Sequence, residues 1–205
     1  MPFRKVFYIE PKEIKNLNDD EIRALRKKMG NVRVRGSNCP RPVLNWFQCG
    51  ISDKILDLLE ARNYTEPFPI QAQALPVIMS GRDAIGIAET GSGKTVAYIL
   101  PMIRHILDQR PIEDGEGPIA LVLAPIRELA SQIFKEIKIF SQAVNLRCVC
   151  VYGGTGVSGQ LSELKRGCET IVCTPGRMID VLTTSNGKIT NLKRVLLLLG
   201  NVCSH

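Results

Sequence analysis

Ala88-Glu89-Thr90-Gly91-Ser92-Gly93-Lys94-Thr95 constrains this chain more than any other stretch. Before it runs Asp83 to Ile87, apolar enough for a buried strand over 84–88; after it, Val96 to Leu107 is apolar at helical spacing. Strand, glycine-rich turn and helix, in that order, are the setting that a phosphate-binding loop requires. Gly91 and Gly93 let the backbone curl and aim successive N–H groups at one anion, and the helix opening at Lys94 adds its own free N–H groups and dipole. Lys94 supplies a point charge for β- and γ-phosphates, and the Thr95 hydroxyl is a ligand for Mg²⁺. The general pattern begins with Gly, where Ala88 stands. The alternative, a flexible turn with a solvated lysine, leaves the strand–turn–helix order unexplained. The motif predicts a nucleotide site.

The remaining composition fits one soluble domain. At 205 residues the chain is long enough to bury about 70% of its unfolded surface. No apolar run is long enough to span a membrane, and Met1 to Lys5 lacks the apolar core of a signal peptide. Seven cysteines, with no Cys-x-x-Cys pair, read as buried reduced thiols rather than a disulfide or zinc framework. The net charge of +7 is uneven, with eleven Lys/Arg against five Asp/Glu in residues 1–42 and sixteen against fifteen in 43–205. The expected organisation is therefore a basic N-terminal arm and linker over 1–42 and a globular domain over 43–205. The arm suits an acidic partner, nucleic acid included, or is a solvated basic tail.

Asn18-Asp19-Asp20-Glu21 predicts a capping box that opens a helix to about Met29, and Ser52 predicts the cap of a second. A third helix is expected over 70–79. From Asp83 onward strand and helix alternate, with strands expected at 84–88, 119–124, 147–152, 170–174 and 194–199, and helices at 94–107, 127–140, 158–166 and 176–184. Near-continuous apolar strands between amphipathic helices predict an α/β fold, a parallel sheet covered by helices on both faces. Ligands of such sheets bind at the carboxyl ends of the strands, so the loops at 89–93, 125–127, 153–157 and 174–177 carry the information.

Those loops hold a set in one order: Pro67-Phe68-Pro69-Ile70-Gln71, Ala88 to Thr95, Pro125-Ile126-Arg127-Glu128-Leu129-Ala130, Gly153-Gly154 and Thr174-Pro175-Gly176-Arg177. Over about Trp46 to Leu199 the chain resembles the first RecA-like domain of a DEAD-box RNA helicase. Two further stretches, Pro2-Phe3-Arg4-Lys5-x-Phe7-Tyr8 and Trp46-x-Gln48-Cys49-Gly50-Ile51, are similar to the subgroup that acts in pre-mRNA splicing at prespliceosome assembly. The resemblance implies a P-loop NTPase that uses ATP and Mg²⁺, with Lys94 and Thr95 as catalytic residues. It implies a nucleotide site of Ala88, Thr90, Gly91, Ser92, Gly93, Lys94 and Thr95, with Gln71 and an upstream aromatic at Trp46. Gln71 presents one donor and one acceptor on a flat amide, a match to the N6 and N7 edge of adenine; alone it reads first as a solvated helix glutamine, and the phosphate loop that follows reverses that preference. The family assigns Pro125, Arg127, Gly154, Thr174, Gly176 and Arg177 to the RNA sugar–phosphate backbone, hence sequence-independent, salt-sensitive binding. Arg127 is alternatively a structural ion pair, to Glu128 or a later acid. By the same resemblance the protein is a nuclear monomer, with spliceosomal proteins as further partners of the arm.

The departures are specific. The family has Thr where Phe68 and Ile126 stand. It follows the Thr174 motif with an apolar strand and then Asp-Glu-Ala-Asp, whereas here Val195 to Leu199 leads into Gly200-Asn201-Val202-Cys203-Ser204-His205. By register Asn201 stands in place of the first Asp and Val202 in place of the Glu. Mg²⁺ needs hard oxygen ligands and the attacking water a positioner, so the expectation is a truncated product, lacking also the second RecA-like domain, with little or no turnover. Two readings therefore stand: an ATP-dependent helicase chain, and a nucleotide- and RNA-binding module without catalysis. Gly154-Thr155-Gly156-Val157-Ser158-Gly159 also fits a dinucleotide fingerprint, but no acidic residue closes the next strand, which ends at Cys173-Thr174. A kinase or GTPase would leave the other motifs unexplained. His105 and His205 have no ligand partner at useful spacing.

Overall fold

The computed structural model describes residues 4–113, 115–154, 157–184 and 188–200. The chain divides into two compact units, Met1–Asp108 and Gln109–His205.

The first unit is helical. After a single turn, α1 (Lys12–Lys15), comes α2 (Asp19–Lys28), opened by the predicted capping box. Asn18 Oδ1 accepts from the N–H groups of Asp20 and Glu21 at 3.0 and 2.9 Å, and Asn18 N–H donates to Glu21 Oε2 at 2.7 Å. A 3₁₀ turn at Trp46–Cys49 precedes α3 (Asp53–Ala61); Ser52 is at its cap position, but its hydroxyl is buried and makes no cap bond. Then follow α4 (Pro69–Met79) and α5 (Lys94–Leu107), which pack on each other. Pro76 lies inside α4 and has no N–H for the Ala72 carbonyl four residues back; that carbonyl accepts from Val43 N–H instead, at 3.0 Å.

Residues of the expected arm pack into this unit. The N–H groups of Phe7 and Tyr8 both donate to Met79 O, at 2.6 and 3.1 Å, and Phe7, Ile14 and Ile22 are buried. Arg26 donates from Nε to Gln73 Oε1 at 2.9 Å. The Phe7 ring meets His105 edge-on at 4.5 Å between centroids, with the Arg4 and Arg104 guanidinium groups 4.8 and 4.6 Å from its centre. Most of the basic residues are exposed, Arg26 and Arg41 being half-buried, and apolar side chains at every few positions tie the backbone down.

One sequence expectation fails here. Residues 84–88 form no strand, and Ile85 and Ile87 are 94% and 85% exposed. An apolar run becomes a buried strand only where another extended segment supplies a ladder; the first unit offers only helices among its described residues.

The second unit carries the sheet. Strands β1 (Ala120–Leu123), β2 (Cys148–Val151), β3 (Thr170–Cys173) and β4 (Leu197–Gly200) are all parallel, in the order β2-β3-β1-β4. Leu121, Ile171 and Val149 share one register row, and Leu123, Cys173 and Val151 the next on the same face. They pack with Leu164 of α7 (Val157–Lys165) and Met178 and Val181 of α8 (Pro175–Thr184). The opposite face carries Ala120, Val122, Thr170 and Val172, and on that side Cys150 Sγ reaches Ala130 O of α6 (Arg127–Ala143) at 3.7 Å. Helices thus cover both faces of β1, β2 and β3, as the alternation of apolar strands and helices predicts, whereas Leu198 of β4 is 65% exposed. β4 begins three residues later than expected because Arg194 is held outside the ladder by Glu116 Oε2 at 2.8 Å and Arg110 O at 3.2 Å. Burial pushes the thiols up, Cys150 to about 11 and Cys168 and Cys173 to about 12, so they remain protonated and inert, as expected of core cysteines.

Candidate nucleotide and nucleic-acid sites

The glycine loop lies in the first unit. Gly91 and Gly93 adopt φ of +81° and +83°, the left-handed region that their spacing predicts. Gly93 is the N-cap of α5, so the N–H groups of the first turn, Lys94 and Thr95 included, have no carbonyl partner within the helix. Lys94 Nζ donates to the carbonyls of Ala88 and, at 2.7 Å, Glu89. Ser92 closes the turn, its hydroxyl donating to Glu89 O at 2.7 Å. The ammonium group is therefore held inside its own loop by bonds that an anion can replace. Thr90 and Gly91 are exposed at the tip, and Thr95 is half-buried at the helix start. This donor set fits a polyphosphate: backbone N–H groups, one flexible cation and one hydroxyl, with open space beside Gly91.

Gln71 stands against this loop, fully buried on α4. Its Nε2 donates to Gly93 O at 3.0 Å and its Oε1 accepts from Phe68 N–H at 2.8 Å. The solvated reading is excluded. The adenine reading needs revision too, since each end of the amide already serves a backbone partner and no part of it is accessible. Trp46 does not present a stacking face: its ring is buried and its Nε1–H donates to Tyr64 O at 2.8 Å. The aromatic ring at the loop is Phe68, 48% exposed, whose Cδ2 would lie 2.7 Å from a Cβ placed on Gly93. In the sequence Phe68 reads only as a lost hydroxyl; its place at the cap of α4, three residues before Gln71, is the signal that locates it.

The second unit gathers the remaining motif residues. Pro125 and Arg127 follow β1, Gly154 follows β2, and Thr174, Gly176 and Arg177 follow β3, all at carboxyl ends of neighbouring strands. Arg127 Nε donates to Glu128 Oε1 at 2.6 Å, the ion pair foreseen as its alternative role. Both side chains are largely exposed, and the bond to Arg127 draws the Glu128 carboxyl below its ordinary range. A pair so placed is weak and leaves the guanidinium free to exchange carboxylate for phosphate. Arg127 Nη1 would lie 3.1 Å from a Cβ on Gly154, which holds φ of +88°, so glycine there admits the arginine. Thr174 N–H donates to Val151 O at 3.1 Å, and Thr174 O accepts from Met178 N–H at 3.1 Å, which fixes the start of α8. Arg177 is mostly buried, its Nη1 3.9 Å from Asp180 Oδ2, and its Nε is buried without a hydrogen-bond partner. Gly176 and Pro125 are exposed. Hydroxyls, guanidinium forks and helix starts side by side form a surface for phosphate oxygens.

Residues 68–198 match the DEAD/DEAH box helicase family. The chain belongs to that family. It is 59% identical over 194 residues to the human probable ATP-dependent RNA helicase DDX46, covering 95% of this chain and 19% of that protein. DEAD-box ATP-dependent RNA helicase 45 of Arabidopsis thaliana is 60% identical, over 95% of this chain and 20% of its own length. The pre-mRNA-processing ATP-dependent RNA helicase prp11 of Schizosaccharomyces pombe is 53% identical, over 94% and 19%. The chain thus spans about a fifth of the curated relatives it matches. Among solved structures, the ADP-bound RNA helicase Prp28 of Chaetomium thermophilum aligns with a TM-score of 0.82 at 33% identity, over 95% of this chain and 46% of that one. The yeast DEAD-box splicing factor Prp28 aligns with the same TM-score at 28% identity, over 92% and 44%. The fold expected from the sequence is that of this family.

Proposed function

We propose that this chain is the ATP- and RNA-binding N-terminal domain of a DEAD-box RNA helicase of pre-mRNA splicing, acting in the nucleus. The observation that carries it is the glycine loop, whose curled backbone, Lys94 and helix start form a built cradle for a polyphosphate. The exposed Phe68 ring is the stacking face for the base, and Gln71 couples the α4 cap to the loop through Phe68 N–H and Gly93 O. Thr95 is the residue that would hold Mg²⁺, which when bound neutralises charge on the phosphates. Lys94 exchanges the carbonyls of Ala88 and Glu89 for phosphate oxygens. Pro125, Arg127, Gly154, Thr174, Gly176 and Arg177 bind the RNA backbone without reading sequence. The names of the relatives support ATP, RNA and splicing.

A second reading, binding without turnover, is favoured by the two residues that follow β4. Asn201 and Val202, which lie outside the described residues, stand at the register of two carboxylates. The test is binding of Mg²⁺–ATP and of single-stranded RNA, together with phosphate release, by the 205-residue chain and by Lys94→Ala. ATP affinity falling at least about a hundredfold in Lys94→Ala, with an unchanged melting temperature, is the expected result. Undiminished ATP affinity in that variant would refute the nucleotide site. Release no faster than in that variant, with ATP and RNA bound, selects the second reading.

A further inference from the structure

At the end of the second unit's sheet opposite the motif loops, a notch of about 290 Å³ opens between α6, the start of β2 and the end of α7. The half-buried Leu146 gives it an apolar wall, with Val149, 5% exposed in the core, beneath it; Lys138, Arg147 and Arg166 ring it, with Glu163 as the one carboxylate of the lining. None of the three cations takes part in an ion pair among the described residues. The Arg147 guanidinium donates to Arg166 O at 2.5 Å while its backbone N–H donates to Glu169 Oε2 at 2.7 Å, and Lys138 Nζ lies 5.8 Å from the Phe134 ring centre, so three cations stand near the rim against the carboxylates of Glu163 and Glu169. Among the described residues β2 is moreover an edge strand of the sheet, paired with β3 alone.

We propose that this notch docks a short acidic peptide segment of a partner protein. An apolar side chain of the segment seats against Leu146, and flanking carboxylates meet Lys138, Arg147 and Arg166. The choice of peptide over RNA rests on two features. No aromatic ring lines the notch, so bases have no stacking platform, whereas the apolar wall suits an aliphatic anchor. It also opens at the amino end of β2, about 13 Å of strand from the loop carrying Gly154. The inference is independent of ATP binding and RNA binding at the sites above.

Fluorescein-labelled Glu-Glu-Leu-Leu-Glu-Glu is titrated into the 205-residue chain, with Glu-Glu-Ser-Ser-Glu-Glu and labelled oligouridine in parallel. The leucine peptide is expected to bind at least about tenfold tighter than the serine peptide, and to weaken at least about tenfold in Lys138→Glu/Arg166→Glu and in high salt. Amide shifts at Cys148, Val149 and Gly167 locate it. Absence of binding, equal binding of the serine peptide, indifference to the double substitution, or displacement by oligouridine would overturn the proposal. Arg127→Ala, which leaves the notch intact, is expected to leave peptide affinity unchanged; a matching loss there would place the peptide on the RNA loops and overturn it too.

Discussion

Gly93 holds a φ of +83° where a Cβ would meet Gln71 Nε2 and, at 2.7 Å, Phe68 Cδ2. Gly93→Ala therefore faces two penalties: a left-handed backbone costing about 1–2 kcal/mol, and displacement of the amide that bonds Gly93 O. The expected outcome is a melting temperature lower by several degrees together with weakened ATP binding; an unchanged value of both would show that the loop does not need this approach. His105 gives a second residue-scale test. It is buried against Phe7, its Nε2 has no partner, and burial lowers its pKa, reinforced by Arg104 and opposed by a backbone bond at Ile78 and by Asp108. The folded state binds its proton less readily than the unfolded one, so this stability is present above the ordinary histidine value of about 6.5 and is lost as pH falls through the lowered value. Thermal melts from pH 7.5 to 5.5 should show that fall, and His105→Leu should flatten it. At this scale the sequence was legible for residue type and opaque for partners. Lys94, Thr95 and the two glycines follow from spacing alone, whereas the engagement of Gln71 and the burial of Trp46 depend on which backbone groups tertiary packing leaves nearby.

Elements read from periodicity were found wherever a packing partner lies within reach. α5 falls on its expected bounds, and α6, α7, α8 and the four strands lie within three residues of theirs; β1, β2 and β3 are covered by helices, and β4 is held by its pairing with β1. The segment 84–88 has the same composition and no ladder, which shows what periodicity leaves out: a strand is a property of a pair. Its exposure makes a sharp prediction. Burying two isoleucines would stabilise by roughly 1.5–3 kcal/mol each, so Ile85→Ser and Ile87→Ser would be costly in a buried strand. As the side chains stand, each substitution should change the melting temperature by no more than about 2 °C, and the amides of 83–88 should exchange without protection. A loss of 5 °C or more in either variant would mean that the segment pairs in solution. The N-terminal residues give the converse lesson: composition marks them as a basic arm, and it is the apolar side chains at Phe7, Ile14 and Ile22 that fix where the backbone goes.

For the whole molecule the question is turnover, and it turns on chemistry more than on fold. Phosphoryl transfer needs little covalent help: it needs phosphates cradled, charge neutralised and a water aimed in line. On the proposed reading, the loop from Ala88 to Thr95 supplies the cradle and the cation. After β4, where the family carries Asp and Glu, this sequence has Asn201, a neutral amide, and Val202, which can neither orient water nor bind a cation. Removing one preorganised electrostatic group from a phosphoryl-transfer or acyl-transfer site commonly costs two to three orders of magnitude in rate, so phosphate release should be close to that of Lys94→Ala although ATP binds. The reciprocal experiment is more telling. Asn201→Asp with Val202→Glu adds two carboxylates to the sequence after β4 and leaves the sequence of the phosphate loop unchanged. If the register is right, release should rise at least about tenfold over the Lys94→Ala background while ATP affinity stays within about threefold of the unsubstituted chain. No rise, with ATP still bound, would mean that these two positions do not reach the reacting phosphate and that the register argument is wrong. A rise that also appears when Lys94→Ala is combined with the pair would assign the activity to a contaminant.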